Sequence, residues 1–324
     1  MALRRELGEI AMQTLVRPAT REVRSRVFDS ARWAGYQPRP DDIIISTYPK
    51  CGTTWTQRIV GMLVNGSAEP RPIESPWFDM RLFGPIEAAL GEAEAQTGRR
   101  YLKSHLPYEA LPVYAGVKFI HTARDGRDSA MSFHNHLVGF LPEMWANFDA
   151  VNQADPKFAD APPRPSPDLA EYFRGWLVDG GAYGDAGASY WDVERSFWAA
   201  RHEPNMLLVH FNDLKADRAG EIARIADFLD IALPAGVMAQ IVEAAGFETM
   251  QAQSAVIAPF TERAWDKGGM RFFNKGTNGR WKDVLTAEDL ARYHQRIAAE
   301  FTPGLAAWLE HGRLTAGDPR QSED

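Results

Sequence analysis

The sequence predicts an α/β fold: a single domain with a central parallel sheet flanked by helices, containing a P-loop-like strand-loop-helix for phosphate. Three observations predict it. Short β-branched or apolar runs alternate with stretches of helical periodicity, as parallel βαβ units require. The first of these runs passes at once into a glycine-bearing basic turn and then a helix. No repeat or low-complexity tract divides the 324 residues, so the chain reads as one domain with a core over about 42–301 and peripheral ends at 1–33 and 313–324.

Residues 42–47 read Asp-Ile-Ile-Ile-Ser-Thr, a run suited to a strand buried on both faces. A turn from Tyr48 to Gly52 follows, and Trp55, Ile59 and Met62 then recur at helical spacing over 53–65. A shorter strand over 100–103 ends at Ser104-His105-Leu106-Pro107. The third strand, 117–122, leads through Arg124-Asp125-Gly126-Arg127 into a helix reaching about Asn135. A fourth, 206–211, precedes a helix over 218–229. Residues 149–168, rich in Pro, Asp and Ala, read as a lid or mobile loop. Thr286 and Asp289 form a capping-box pattern opening a helix to about Phe301.

The formal net charge of −7 argues against a nucleic-acid binder, whose footprint is a basic excess. Any anion site must therefore be local. The single cysteine, Cys51, excludes a disulfide framework and a multi-cysteine metal site and fits a reducing compartment, with the cytoplasm as the expected location. Residues 1–33 lack the apolar run of a signal peptide, and no later stretch approaches a membrane span, so membrane contact is expected to be peripheral at most.

Ligands of open α/β sheets bind where loops leave the carboxyl ends of strands and helices begin. Lys50 to Thr54 sits at such a place. Gly52 allows close backbone approach, Lys50 adds charge, and Thr53 and Thr54 add hydroxyls. The lysine precedes the glycine, so this is not a Walker A loop, and an ATP or GTP hydrolase is disfavoured. Two readings stand: a phosphate cradle, or a permissive turn with a solvated lysine.

Arg124 and, eight residues on, Ser132 could meet a further phosphate, arginine supplying the planar fork. The run Lys275-Gly276-Thr277-Asn278-Gly279-Arg280-Trp281-Lys282 is a third basic, glycine-bearing segment. His105, at a strand end, has the ordinary pKa of about 6.5 that suits a general base, or is one of several structural histidines. His134 and His136, two apart on a helix, diverge, and no metal is assigned. Cys51 admits a nucleophile reading, since a helix N-terminus beside a lysine favours the thiolate.

Taken together, Tyr48-Pro49-Lys50-Cys51-Gly52-Thr53-Thr54-Trp55, Lys103-Ser104-His105-Leu106-Pro107, the segment from Arg124 to Ser132, and Phe273-Asn274-Lys275-Gly276 through Lys282 resemble the cytosolic-type sulfotransferases that use 3'-phosphoadenosine 5'-phosphosulfate (PAPS). The order of the four segments matches, and they span most of the chain. The resemblance implies a metal-independent transfer of a sulfuryl group from PAPS to a hydroxyl. His105 would be the general base, with Lys50 and Lys103 stabilising the bridging and sulfuryl oxygens. The loop Lys50, Cys51, Gly52, Thr53, Thr54 and Trp55 would hold the 5'-phosphosulfate, and Arg124 with Ser132 the 3'-phosphate. Phe211 and Phe247 would flank adenine, and Phe273, Asn274, Lys275 and Gly276 would close over the nucleotide. Placing Cys51 in the donor loop also implies that bound nucleotide slows its alkylation.

Two departures accompany the likeness. Asn274 stands where the family has an arginine for the 3'-phosphate, which leaves Arg271 or Arg280 to substitute. The family's dimer motif is incomplete: Lys282 and Thr286 match, whereas Ala287 and Ala291 replace valine and glutamate. For the acceptor, Pro76, Trp77, Phe78, Phe83, Trp145 and Phe148 suggest an aromatic pocket for a phenol, steroid-like alcohol or glycolipid hydroxyl. A charged polysaccharide is disfavoured by the acidic balance. The alternatives are a P-loop-related phosphotransferase using ATP and magnesium, separated by metal dependence, and a non-catalytic phosphoadenosine-binding regulator, separated by turnover.

Overall fold

The computed structural model describes residues 14–160, 164–181 and 188–324. Its centre is a parallel sheet of Ile43–Ser46 (β1), Tyr101–Ser104 (β2), Lys118–Ala123 (β3) and Met206–His210 (β4), in the order β2-β1-β3-β4. Ile43 pairs with Tyr101 on one side and Lys118 on the other, and Ala123 pairs with His210.

The β-branched run of β1 is buried on both faces because side chains alternate across a strand. Ile43 and Ile45, with Ile120, Leu207 and Val209, face one apolar layer completed by Ile59, Val60 and Leu63 of the helix Thr53–Asn65 and by Ile222 and Ile225 of the helix Arg218–Phe228. Ile44, Leu102, Phe119 and Leu208 face the other layer, with Phe133 of the helix Gly126–Val138, Trp176 of Leu169–Asp179 and Phe197 of Tyr190–Ala199. The chain leaves β1 toward β2, then crosses back to place β3 on the other side. That reversal opens a crevice at the carboxyl ends of β1 and β3.

Boundaries differ from the sequence reading by one to three residues where helices fray. Residue 211 ends no strand: Phe211–Ala216 is a short helix capped by the His210 side chain, which accepts from Asn212 N–H. The capping box at Thr286 and Asp289 opens the helix Ala287–Glu300.

Two expectations are corrected. Residues 14–33 are not peripheral: Val23, Val27, Phe28 and Trp33 are buried in the main core, and Leu15–Arg17 pairs antiparallel with Val113–Tyr114. The stretch 149–168 is not a lid over the crevice in its described part. It begins as the end of the helix Pro142–Gln153 and is pinned at Asp155 by Arg24 (2.8 Å) and Arg81 (2.6 Å); residues 161–163 lie outside the described residues.

Candidate active site

The turn after β1 holds two left-handed residues, Gly52 (φ +116°) and, with a side chain, Lys50 (φ +69°). A β-carbon at Gly52 would lie 3.2 Å from Thr122 Cγ2 and 3.4 Å from Phe211 Cδ2, so space and backbone both select glycine. At Lys50 the left-handed backbone costs roughly 1–2 kcal/mol, a strain that tight packing around the loop sustains. The hydroxyls of Thr47 and Thr53 share a hydrogen bond of 2.5 Å, and those of Thr56 and Thr122 one of 2.7 Å, stapling the helix start to β1 and β3. The first turn of that helix carries no acidic residue. No side chain caps it at Gly52 either, which suits its opening N–H groups to an anion.

A cavity of about 1130 Å³ opens above this turn. On one side stands Arg124, its guanidinium 4.2 Å from the centre of the Phe211 ring and bonded to Asn278 Oδ1 (2.6 Å) and the Thr277 carbonyl (3.0 Å). Arg280 lines the same wall, with Nε buried and without a hydrogen-bond partner. Burial lowers the pKa of both against the pull of the nearby Asp128 carboxylate, which lies beyond salt-bridge distance of either. Two partly desolvated cations without a paired carboxylate suit a phosphate. Arg271 is occupied elsewhere, paired with Asp266 (2.6 Å) and donating to Asn135 Oδ1 (3.0 Å), so of the two candidate substitutes only Arg280 faces the cavity.

Lys50, Lys103, His105 and His136 all line this cavity. His105 is 5 % exposed, and its Nδ1 lies 2.6 Å from the Thr47 carbonyl. A carbonyl only accepts, so Nδ1 carries the proton and Nε2 keeps its lone pair. Burial, then Lys103 and Lys50, holds the imidazole well below its usual pKa and hence neutral. Burial lowers Lys50 to about 8, helped by Arg124, and Lys103 to about 7 against the pull of Asp79. Lys103 Nζ sits 3.4 Å from the centre of the Trp77 ring. Behind this corner, buried Asp79 accepts from Trp33 Nε1 (3.1 Å), Trp77 Nε1 (3.0 Å) and the His105 backbone N–H (3.1 Å), tying wall and base to one carboxylate.

The structure brings together around this cavity Lys50, Gly52, Thr53, Thr54, Trp55, Lys103, His105, Arg124, Ser132, Phe211, Phe247, Phe273, Asn274, Lys275 and Gly276. Cys51 is the correction. Its thiol is 0 % exposed, 3.2 Å from Ser129 Oγ, and burial pushes its pKa well up, which removes both the nucleophile reading and a side-chain contact with a nucleotide. The expected slowing of its alkylation by nucleotide loses its footing, because the thiol is already inaccessible. Of the candidates for the acceptor pocket, Pro76, Trp77, Phe83 and Phe148 line the cavity, whereas Phe78 is buried against Trp33 and Trp145 packs behind Phe140 and Phe148. His134 Nε2 turns to the Ser166 carbonyl (2.9 Å), away from His136. Sequence reasoning missed Asp79, an isolated acid with no pattern around it. It also missed the aromatic wall of Phe260, Trp265 and Phe272, whose clustering was the available signal.

Comparison with known proteins agrees with this geometry. Residues 40–303 match the sulfotransferase domain model. The chain is similar to a glycolipid sulfotransferase of Mycobacterium bovis, 33 % identical over 312 residues that cover 90 % of this chain and 94 % of the relative. It is similar to sulfotransferase 1B1 of the dog, 29 % identical over 78 % of this chain and 80 % of that one. Its fold resembles mouse sulfotransferase SULT7A1 complexed with PAP, with a TM-score of 0.61 at 20 % identity over 83 % of this chain and 88 % of that chain. With the domain model covering most of the chain and the mycobacterial relative aligned along nearly its whole length, the protein belongs to the sulfotransferase family.

Proposed function

We propose that the protein transfers a sulfuryl group from PAPS to a hydroxyl of an apolar or amphipathic acceptor, with His105 as general base. One observation carries the reading: an imidazole with its tautomer set by the Thr47 carbonyl shares a cavity with two partly desolvated lysines and a helix N-terminus. The donor would supply the sulfuryl group and an anionic leaving oxygen. Free N–H groups at Thr53 and Thr54 hold its 5'-phosphate, and Arg124, Ser132 and Arg280 hold its 3'-phosphate, Arg280 standing in for the arginine absent at 274. Phe211 and Phe247 stack adenine, and Gly276, whose carbonyl accepts from Lys215 Nζ at 2.7 Å, closes that end.

Transfer of this kind passes through a loose transition state in which charge builds on the leaving oxygen, so positioning and electrostatics dominate. Lys50 and Lys103 place ammonium charge there, and His105 Nε2 accepts the acceptor's proton. The acceptor end, walled by Trp77, Phe83, Phe140, Phe148 and Trp265, suits a phenol, steroid-like alcohol or glycolipid. The relative named for glycolipid sulfation supports the last of these. No helix among the described residues is long and apolar enough to cross a membrane, and the lone cysteine suits the reducing cytoplasm, where we place the enzyme.

The test is thermal stabilisation by 3',5'-adenosine bisphosphate against AMP, ADP and ATP, with and without chelator. A ligand at a hundred times its Kd stabilises by about 2.7 kcal/mol. A shift selective for the bisphosphate and indifferent to chelator is expected; a shift only with ATP and magnesium would overturn the reading.

A further inference from the structure

Of the four titratable side chains Lys50, Lys103, His105 and His136 that line this part of the cavity, His136 has no task in the proposed transfer. Its Nδ1 lies 3.2 Å from Lys50 Nζ. An ammonium can only donate, so Nδ1 accepts and the ring proton sits on Nε2. That assignment leaves a neutral ring, and burial together with Lys50, Lys103 and His105 holds His136 well below its usual pKa. Four aromatic neighbours clamp the ring, with centroid distances of 4.7 Å to Trp265, 5.0 Å to Phe140, 5.9 Å to Phe133 and 6.2 Å to Phe272. Its backbone carbonyl accepts from Trp265 Nε1 at 2.9 Å.

Among the described residues the Nε2 proton has no hydrogen-bond partner, yet Nε2 is not a buried unsatisfied atom, and His136 lines the cavity. It is therefore a fixed donor facing the cavity beside the rings of Phe140, Trp265 and Phe272. An apolar acceptor filling that chamber would strip water from the N–H without replacing its hydrogen bond, a net penalty. An acceptor with an oxygen at that point would not incur it.

We propose that His136 is a specificity residue: its Nε2–H donates to a second oxygen of the acceptor, borne on the same ring or sugar as the hydroxyl that His105 deprotonates. Preferred acceptors are then dioxygenated, such as an alkoxyphenol, a catechol or a glycoside, rather than simple phenols or plain sterols. The inference rests on the sulfotransfer reading, and a binding experiment separates the two.

The full chain is saturated with 3',5'-adenosine bisphosphate, and calorimetry gives Kd for the ortho, meta and para methoxyphenols and for the matching ethylphenols, which exchange ether oxygen for methylene. The wild-type protein should favour at least one methoxyphenol by about 10-fold, the worth of one hydrogen bond. His136→Phe, which keeps an aromatic ring, should bring that ratio to about 1, and His136→Gln, which restores a side-chain N–H, should recover part of it. A merely structural role would weaken both members of each pair alike and leave the ratio standing. An unchanged ratio in His136→Phe, no preference in the wild type, or no binding of either series to the nucleotide-loaded protein would overturn the assignment. Failure of the bisphosphate itself to bind would instead bring down the sulfotransfer reading on which it rests.

Discussion

The two halves of the cavity are built in different ways. The half we propose for the donor is made chiefly of contiguous turns at the carboxyl ends of β1 and β3, closed by the segment 273–280, and it offers backbone N–H groups, glycine geometry and arginines. The acceptor half is a wall of rings contributed by Phe28, Trp77, Phe83, Phe140, Phe148 and Trp265, segments far apart in the chain. One half offers a fixed backbone and charge; the other offers a shape built from side chains. The strained Lys50 turn and its threonine staples are anchored in the sheet, and the two halves meet at the corner where Lys103 lies on Trp77 and Asp79 holds both Trp77 and the His105 backbone.

This division is broken most directly at the junction, where the largest effects belong. His105→Ala should lower kcat on the order of 10²–10⁴-fold through lost base catalysis, and Lys50→Ala about 10²–10³-fold, with bisphosphate binding surviving the first change in titration calorimetry. Wild-type turnover in His105→Ala would remove the base from the mechanism. Next in size, Arg280→Ala should weaken 3',5'-adenosine bisphosphate about 10–100-fold while leaving AMP nearly unaffected, the cost of one charged hydrogen-bond donor. Equal losses for both nucleotides would show that Arg280 shapes the loop rather than reads the second phosphate.

The pH profile sharpens the comparison further. A lysine with a lowered pKa is charged below that value and loses its charge as pH rises through it. With Lys103 at about 7 and Lys50 at about 8, kcat/KM should fall as pH rises through that range. His105, held well below its usual value and so already neutral, should place no limb near pH 6 to 7. Lys103→Arg keeps a charge across the range, so the fall should move toward the value for Lys50. The smallest effect belongs to the rim. Phe83, 60 % exposed and 5.9 Å from Trp77, should when changed to Ala raise the acceptor KM by about 2–5-fold, with donor affinity and Tm unmoved. A change in donor affinity would mean the halves are coupled.

The halves also differ in how far they were legible. The turn of the proposed donor half could be read because such a turn needs particular residues at adjacent positions: a glycine where the backbone turns left-handed, and hydroxyls and a lysine where a helix begins. Even there Cys51 misled, since adjacency in a turn does not say which way a side chain faces, and the cysteine points into the core. In the acceptor half, Trp77 and Phe148 were recognisable only as aromatic residues, and nothing local distinguished them from Phe78 and Trp145, which pack behind. Asp79 was invisible for the same reason: its partners Trp33 and His105 lie 46 and 26 residues away.

The sequence by itself determined the parallel sheet and the glycine-bearing turn after β1, because β-branched runs, helix initiation and glycine geometry are local properties that residue order expresses directly, and its four motif segments carried the resemblance to the family. Only the tertiary structure decided that Arg280 rather than Arg271 faces the cavity, that residues 14–33 complete the core beside His105, and that His136 shares a hydrogen bond with Lys50. Those outcomes depend on which distant segments converge at the crevice, and convergence is set by how two apolar layers pack on a sheet, a sum over many contacts that no short run of residues contains.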